Sequence, residues 1–226
     1  MEKRYSRNMN MLSSEENERL RSFKACVVGC GGLGGYVIEL LGRLGVGTIT
    51  AVDGDVFDET NLNRQLLSSE ELIGESKAFA AEERMKKVNS GVTVYPVRAF
   101  VTEENCDEII AGHDIVIDAL DNMTARRLLE ERCEKQNIPM IHGAIAGWYG
   151  QVSAIMPGDR TLQLIYPPNE NKGAETELGN PSFSPALIAS IEVAEALKVL
   201  LGRGEILRKK LLTIDLLNQE YDIFSF

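Results

Sequence analysis

Basic residues are scarce in this chain, and their scarcity excludes one class of function. The 226 residues include 24 Lys and Arg against 34 Asp and Glu, so the formal net charge is -10. A surface of this sign does not neutralise nucleic-acid phosphates, so no DNA partner is expected. No apolar run reaches the roughly 18 to 20 residues of a membrane span, and no apolar signal core follows the N-terminus. We therefore expect a cytoplasmic protein with no membrane partner.

Cysteine is also scarce, and its spacing excludes two kinds of site. The four cysteines are Cys26, Cys30, Cys106 and Cys133, and no two of them form a C-x-x-C pair. A disulfide scaffold and a paired-cysteine zinc site are therefore not expected. Cys26 and Cys30 fall in or beside an apolar run and a glycine turn. We predict that both are small buried apolar residues rather than reactive thiols.

Past an N-terminal arm, short apolar runs alternate with helical patterns. Residues 1–23 are polar and predict an arm or helix, with Ser13 or Ser14 as its N-cap. The following strand, glycine turn, helix and strand form a βαβ unit, and the alternation continues to about residue 146. This order predicts an α/β fold, a Rossmann-like doubly wound sheet that is mainly parallel, with an antiparallel C-terminal extension. Predicted strands include ACVVGC, TITAVDGD, VTVYPV, DIVIDAL and PMIHGA, and predicted helices include YVIELLGRLG, residues 76–89, residues 103–111 and TARRLLEERCEKQ.

The sequence changes character after Gly147. QVSAIM and TLQLIY predict antiparallel strands, and a polar segment of about residues 166–183 predicts a crossover loop. Ser184 and Pro185 are expected as N-cap and first residue of a helix that ends at Gly202. KKLLTIDLL and EYDIFSF predict two closing strands.

A glycine-rich turn follows the first predicted strand. Gly29, Gly31 and Gly34 satisfy G-x-G-x-x-G, Gly32 adds a fourth glycine, and Asp53 follows nineteen residues after Gly34 at the end of the next strand. Such glycines let backbone amides approach phosphates at a helix N-terminus, and the acidic residue can accept hydrogen bonds from ribose hydroxyls. The motif predicts a nucleotide site. It leaves open ATP, a nicotinamide cofactor, or a turn needed only for close helix packing.

Two cations beyond this turn favour ATP. Arg64 lies in the run Asn61-Leu62-Asn63-Arg64-Gln65, and Lys77 opens the next predicted helix. A triphosphate needs cationic partners when it leaves water and when charge develops during transfer, whereas a dinucleotide cofactor has less use for them. The alternative for either residue is solvated surface charge.

Acidic residues end the strand DIVIDAL. Asp121 and Asn122 follow it directly. Carboxylates at this end of a parallel strand face the ligand crevice, and a carboxylate suits Mg²⁺ that bridges phosphates. Either residue could instead cap the following helix, and capping does not exclude catalysis.

Taken together, these motifs resemble the ubiquitin-activating superfamily, and specifically the ThiF/MoeB/HesA adenylyltransferases. The resemblance covers nearly the whole chain, because the motifs occur in the family's order and spacing: RYSRN, GCGGLG, AVDGD, NLNRQ, GESKA and DALDN. It implies that residues 24–226 form a single ATP-binding adenylyltransferase domain. It also implies that residues 1–23 contact a partner subunit.

The resemblance implies a role for each matching residue. Gly32 and its neighbouring glycines would approach the phosphates, and Asp53 would hold the ribose. Asn61, Arg64 and Lys77 would surround the triphosphate, with Asp121 on Mg²⁺ and Asn122 beside the nucleotide. Arg7, the second arginine of the arm, would reach the ATP of the neighbouring subunit, which implies a homodimer. Asn8 stands where the family usually has Gln.

The implied reaction is attack of a carboxylate on the α-phosphate of ATP. In the family that carboxylate is the C-terminal glycine of a ThiS-like or MoaD-like ubiquitin-fold sulfur carrier. Many relatives also have two C-x-x-C pairs that bind zinc, and some have a cysteine in the crossover loop that takes the activated carrier. This chain has neither. We therefore expect adenylation without a cysteine intermediate, a separate sulfur donor and no zinc.

Several alternatives remain open from the sequence. The substrate could be a small-molecule carboxylate or a modified tRNA, although the acidic balance disfavours tRNA. A nicotinamide-dependent oxidoreductase and a catalytically idle subunit are the other two possibilities. His142 and Trp148 fall where the carboxylate tail would enter, and ordinary packing is the alternative for both.

Overall fold

A computed structural model describes residues 2–166 and 175–226 of the chain. In these residues one mixed sheet has eight strands in the order β3-β2-β1-β4-β5-β6-β7-β8. The strands β3, β2, β1, β4 and β5 are parallel, and β6, β7 and β8 continue the sheet antiparallel. The strands are β1 Lys24–Val28, β2 Thr48–Val52, β3 Thr93–Val97, β4 Ile115–Asp118, β5 Met140–Ala146, β6 Tyr149–Ile155, β7 Lys210–Asp215 and β8 Glu220–Ser225.

Helices cover both faces of the sheet. The helices are α1 Ser14–Leu20, α2 Gly32–Leu44, α3 Lys77–Val88, α4 Cys106–Ile110, α5 Met123–Gln136, α6 Thr161–Ile165, α7 Glu175–Leu178 and α8 Phe183–Leu201. One core cluster joins the sheet to α2, α3 and α8, and the other joins it to α4 and α5. The predicted doubly wound sheet with an antiparallel extension is confirmed. None of the helices in the described ranges is long and apolar enough to cross a bilayer.

The strand order creates a crevice at the carboxyl edge of the sheet. From β1 the chain winds outward through β2 and β3, then returns to place β4 on the other side of β1. Ligands of open α/β sheets bind at such a reversal, outside the carboxyl ends of the strands. The loops after β1, β2 and β4 meet there, and these loops contain most of the predicted site residues.

The arm packs against its own chain at the opposite edge. Ser13 is the N-cap of α1, where its hydroxyl and the Glu16 carboxylate form a capping box, so the predicted cap is confirmed. Tyr5 is buried, and its hydroxyl accepts a hydrogen bond of 2.8 Å from the Asn89 amide. That amide also donates to the carbonyl of Gly42 near the end of α2. The arm is therefore held at the C-terminal end of α2.

Two predicted elements of secondary structure differ from the structure. TLQLIY is the short helix α6, because the amide of Leu162 donates to the buried Glu130 carboxylate on α5, 2.8 Å away, instead of joining a strand. The last helix begins at Phe183 with Ser182 as N-cap, so Ser184 and Pro185 lie inside its first turn. Proline is tolerated there because first-turn amides have no partner within the helix. The helix ends at Gly202, as predicted.

The predicted crossover loop is described in part. Residues 167–174 lie outside the described residues. Beyond them the chain forms α7 before it enters α8, where the sequence predicted only loop.

Candidate active site

The glycine turn joins β1 to the N-terminus of α2. The amide of Gly29 donates to the carbonyl of Val52 at the end of β2, 2.8 Å away. Gly29 has a φ of +102°, a conformation that glycine adopts without strain. Gly31 and Gly32, at the start of α2, line the crevice. The first amides of a helix have no partner within it, and together with the helix dipole they attract anions.

The third glycine of the motif has a packing function. A Cβ on Gly34 would overlap the carbonyl oxygen of Gly29 and would lie 3.2 Å from the Cβ of Ala119. Gly34 does not line the crevice itself. Because Gly34 has no side chain, α2 can approach β1 and the loop after β4 closely. This close approach fixes the position of the glycine turn relative to the sheet.

Asp53 holds the glycine turn from the neighbouring strand. Its Oδ2 accepts the amide of Cys30 at 2.7 Å, and its Oδ1 accepts the amide of Asp55 at 2.8 Å. An ionised carboxylate has about four acceptor positions, so the two oxygens can still accept ribose hydroxyls. Asp53 lines the crevice, as its predicted function requires.

The structure brings both predicted cations to the crevice. Lys77 is only 7% exposed, and its ammonium lies 3.2 Å from the Asp55 carboxylate. The Arg64 guanidinium donates to the carbonyl of Thr60 at 3.0 Å and to the Asn63 side chain at 2.9 Å. A Cβ on Gly32 would lie 3.9 Å from the Arg64 side chain, so this arginine borders the glycine turn. Both side chains line the same crevice as Gly31 and Gly32 at the N-terminus of α2.

Asp121 and Asn122 reach the crevice from the loop after β4. Asn122 is the N-cap of α5, and its side chain accepts the amide of Ala125 at 2.8 Å. Asp121 is exposed in the crevice, and none of the described residues bonds its carboxylate. Capping and a place at the site therefore coexist at Asn122. Asp121 keeps its oxygens available for a metal ion or a ligand.

Besides Gly34, two further predicted site residues do not line the crevice. Asn61 is buried, and its side chain accepts the amide of Asp58 at 3.1 Å in a capping box. In this arrangement Asn61 shapes the turn that presents Arg64. Arg7 is exposed on the arm and bonds to none of the described residues.

The side walls of the crevice contain residues that the sequence did not reveal. Phe100 is 65% exposed and lies over Gly54, where a Cβ would be 2.6 Å from its ring. Gln65 is buried beside Gly31, and its Oε1 has no hydrogen-bond partner among the described residues. Arg126 reaches the crevice from α5 although it is only 7% exposed. An exposed loop aromatic and an interior helix arginine give no local sequence signal, because their positions depend on the tertiary fold.

His142 and Trp148 have different surroundings. His142 is fully buried, its Nδ1 lies 2.7 Å from Asp118 Oδ2, and its Nε2 lies 3.0 Å from the Tyr166 hydroxyl. Burial lowers the pKa of His142 more than the Asp118 carboxylate raises it. Because a carboxylate only accepts, Nδ1 of the neutral ring donates to Asp118. Trp148 is 45% exposed and packs on Phe183, with ring centroids 4.7 Å apart.

All four cysteines are buried and unpaired, as predicted for Cys26 and Cys30. Burial raises the pKa of the Cys106 thiol to about 11 and raises the pKa of Cys30 well above its usual value. A neutral thiol is a poor nucleophile and a poor metal ligand. Within the described ranges, no group of three or more His, Cys, Asp and Glu side chains could hold a metal ion.

Comparison with known proteins matches this architecture. The model of the ThiF family matches residues 5–226. The SAMP-activating enzyme E1 of Haloferax volcanii is 35% identical, over 99% of this chain and 84% of the relative. The sulfur carrier protein adenylyltransferase of Thermus thermophilus is 37% identical, over 96% of this chain and 84% of the relative. The molybdopterin-synthase adenylyltransferase of Salmonella typhimurium is 30% identical, over 96% of this chain and 90% of the relative.

A solved structure supports the fold. The structure of E. coli MccB with ATP superposes with a TM-score of 0.84 at 21% identity, over 100% of this chain and 71% of that chain. The family match spans almost every element described above, including the glycine turn, both cations and the loop after β4. The chain therefore belongs to the ThiF family and is an ATP-dependent adenylyltransferase.

Proposed function

We propose that this enzyme activates the C-terminal glycine of a ubiquitin-fold sulfur carrier as an acyl adenylate. The proposal rests above all on the meeting of the glycine turn, Arg64, Lys77 and Asp121 in one crevice. The names of relatives add the substrate class, since one is a sulfur carrier protein adenylyltransferase and another a SAMP-activating enzyme.

The chemistry needs no nucleophile from the protein. A carboxylate oxygen of the substrate attacks the α-phosphorus of ATP, a new O–P bond forms, and the bond to the bridging oxygen breaks to release pyrophosphate. Arg64, Lys77 and the N-terminus of α2 neutralise the negative charge on the phosphates. Catalysis is then a matter of positioning and charge, which fits a site built from backbone amides and two cations.

Asp121 is the residue that would hold Mg²⁺. Its carboxylate is available in the crevice, and carboxylate oxygen is a preferred ligand of this ion. Bound there, the ion would neutralise phosphate charge. Asn122 would fix the loop beside the nucleotide through its cap on α5.

A short apolar surface leads from the nucleotide crevice and suits the carrier's tail. Trp148, Phe183, Leu178 and Pro181 line it, and Asn180 belongs both to this surface and to the crevice. An extended glycine-rich tail would reach the α-phosphate along this path.

Replacing Trp148 with Ala should raise the KM for the carrier and leave the KM for ATP unchanged.

We further propose that activation ends at the adenylate. The segment of residues 166–183, where some relatives have the acceptor cysteine, contains no cysteine, and the four cysteines of the chain are buried elsewhere. A separate sulfur donor would then attack the adenylate.

The arm supports a homodimer with shared sites. Asn8 donates to the carbonyl of Leu44 at 3.3 Å, which places Arg7 beside the C-terminal end of α2. The nucleotide crevice lies at the other end of this helix, and a helix of 13 residues is about 20 Å long. Arg7 is therefore remote from its own site and available to the site of a second copy.

Exchange of labelled pyrophosphate into ATP tests the proposed reaction. The wild type should catalyse exchange with a Gly-Gly-ending carrier, whereas Arg64→Ala and Asp121→Ala should lose at least about 100-fold. Arg132→Gln, which removes an ion pair with Asp107 away from the crevice, is the matched control and should keep full exchange. Exchange with small carboxylates and none with carriers would contradict the proposed substrate.

Non-reducing gels test the absence of a cysteine intermediate. After incubation with ATP and the carrier, the enzyme should show no carrier-linked band that thiol reagents remove. Such a band would overturn that part of the proposal, and loss of the band in a variant of one of the four cysteines would identify the acceptor.

A further inference from the structure

A group of buried charged and polar side chains lies directly beneath the loop that presents Asp121. It consists of Asp118 at the end of β4, His142 on β5, Arg126 on α5 and Glu192 on α8, and each is at most 7% exposed. None of the four is among the residues proposed to contact ATP or Mg²⁺. Burying such groups is costly unless they bond to one another or to the backbone, so their bonds indicate what the group holds in place.

Two members of this group hold Leu120, the residue before Asp121. Asp118 Oδ1 accepts the amide of Leu120 at 3.1 Å. Arg126 Nη2 donates to the carbonyl of the same residue in a short hydrogen bond. Both peptide groups of Leu120 are thus fixed by buried side chains. On the other side of Asp121, Asn122 is fixed as the cap of α5.

The two holding side chains are themselves fixed. The Nε of Arg126 lies 3.6 Å from Asp118 Oδ2, and that oxygen also accepts the Nδ1–H of His142. Arg126 further approaches the carbonyl of Gly143 on β5 at 3.5 Å and the Tyr166 hydroxyl at 3.4 Å. Several partners therefore fix the orientation of both Asp118 and Arg126. A single ion pair on the surface would not restrict a side chain to one orientation in this way.

We infer that Asp118 and Arg126 are positioning residues for Asp121, and that they act by holding both peptide groups of Leu120. This inference rests on the proposed function of Asp121 at the nucleotide site. Neither residue touches the reacting atoms in this scheme. Their function is to present the Asp121 carboxylate as a fixed group, because a displacement of about 1 Å at a catalytic group can lower a rate by about 100-fold.

The charges of the buried group are balanced, which this function requires. The Arg126 guanidinium compensates the Asp118 carboxylate, and the lowered pKa of His142 keeps its ring neutral. Burial raises the pKa of Glu192 well above its usual value, and the Asp118 charge raises it further, so the neutral form of this carboxyl group is favoured. A stable buried group can hold the loop without drawing Asp121 itself into an ion pair.

Binding and kinetics on conservative variants test the inference. The variants are Asp118→Asn, Arg126→Lys and Arg126→Gln, with Arg132→Gln on the same helix as the matched control. Calorimetry with a non-hydrolysable ATP analogue, with and without Mg²⁺, measures how much the ion improves nucleotide affinity. The improvement should shrink about tenfold or more in Asp118→Asn and Arg126→Gln and by less in Arg126→Lys, and the affinity of Asp118→Asn without Mg²⁺ should stay within about threefold of the wild type.

Kinetics provide the second readout. In pyrophosphate exchange, kcat should fall by about 10- to 100-fold with a small change in the KM for ATP, and the Mg²⁺ concentration for half-maximal rate should rise. A merely structural effect would lower the melting temperature and reduce the apparent kcat with the folded fraction, and it would leave the KM for ATP and the Mg²⁺ dependence unchanged. The inference is overturned if Asp118→Asn and Arg126→Gln fold and Mg²⁺ improves their nucleotide affinity as much as it does in the wild type. If Arg126→Gln does not fold, Asp118→Asn and Arg126→Lys decide alone.

The two proposals fail in different ways. A wild type that binds nucleotide with a Mg²⁺ effect but exchanges no pyrophosphate with any carrier would contradict the proposed function. The calorimetric comparison would still decide whether Asp118 and Arg126 position Asp121.

Discussion

Among single residues, Glu192 is the most unusual feature of the molecule outside the crevice. It is fully buried on α8, and the described residues offer its two carboxyl oxygens no hydrogen-bond partner. Its carboxyl group lies over Gly143, where a Cβ would overlap it. Burial is the largest influence on its pKa and raises it, the Asp118 charge acts in the same direction, and these two outweigh the Arg126 charge, which favours ionisation. The folded protein therefore retains this proton where the unfolded chain loses it.

Replacing Glu192 with Gln should stabilise the protein increasingly as pH rises. Below the pKa of an unfolded Glu, about 4.3, both states of the wild type are protonated and the two proteins differ little. Above it only the unfolded chain releases the proton, so wild-type stability falls relative to the variant until the pH passes the raised pKa of the folded state. The difference should grow by at most about 1.4 kcal/mol per pH unit.

Urea unfolding at pH 5, 6 and 7 measures this difference. The exposed Glu131→Gln, which also replaces one carboxylate by an amide, is the matched control. A difference for Glu192→Gln that changes no more with pH than that of the control would contradict a protonated Glu192, and loss of exchange activity in Glu192→Gln would assign the group a further function.

Among the elements, α2 links the fold to the site most directly. Its first turn provides the anion-binding amides, its position depends on the close approach at Gly34, and its far end holds the arm through Asn8 and Asn89. Two glycines in its first turn have separable functions. Gly34 allows backbone to approach backbone, whereas Gly32 faces open crevice, since a Cβ there would meet ordinary contacts at 3.7 Å or more.

The pair Gly34→Ala and Gly32→Ala should separate stability from binding. Gly34→Ala should lower the free energy of unfolding by about 1–3 kcal/mol, because its methyl overlaps a backbone oxygen that cannot turn away. Gly32→Ala should keep stability or gain up to about 1 kcal/mol from helix propensity. It should nevertheless weaken ATP binding about tenfold, because the methyl stands where the phosphates approach.

Thermal unfolding and calorimetry distinguish the two variants. Equal loss of stability in both would contradict the separate functions assigned to the two glycines. Full ATP affinity in Gly32→Ala would place the phosphates away from this turn.

For the whole molecule, the position of the arm bears on the proposal that two copies of the chain share each site. The arm is anchored by Tyr5 at one end of α2, and the crevice lies at the other end. An exposed arginine in that position cannot serve the crevice of its own chain without detaching the arm. The chain as a whole has a net charge of -10, which repels the negatively charged ATP. Each cation close to the triphosphate offsets part of this repulsion.

Mixing two inactive variants tests the shared site. Arg7→Ala and Asp121→Ala should each lose exchange activity as pure proteins. After denaturation and joint refolding at equal amounts, about one quarter of the sites should combine an intact Asp121 with an intact Arg7 from the other subunit. Exchange should then return to about one quarter of the wild-type rate.

The controls for this mixture are the two variants refolded separately and then combined without denaturant. No recovery in the jointly refolded sample, or full activity of Arg7→Ala alone, would show that Arg7 does not act between subunits.

The sequence by itself determined the family, the alternation of strands and helices up to β5, and the residues that form the charged and glycine-rich part of the crevice. The G-x-G-x-x-G turn, the cap at Ser13 and the stop at Gly202 are local features, since each depends on the conformation of a few adjacent residues. Arg64, Lys77 and Asp121 were predictable because they follow recognisable elements at fixed spacing.

Only the tertiary structure decided the features that depend on distant partners. TLQLIY forms a helix because Glu130, 32 residues away in sequence, accepts its first free amide. Asn61 shapes a turn instead of lining the crevice, and the group around Asp118, Arg126 and Glu192 forms where three elements meet at the sheet edge. Burial and long-range pairing set these positions, and neither leaves a periodic or short-range pattern in the sequence.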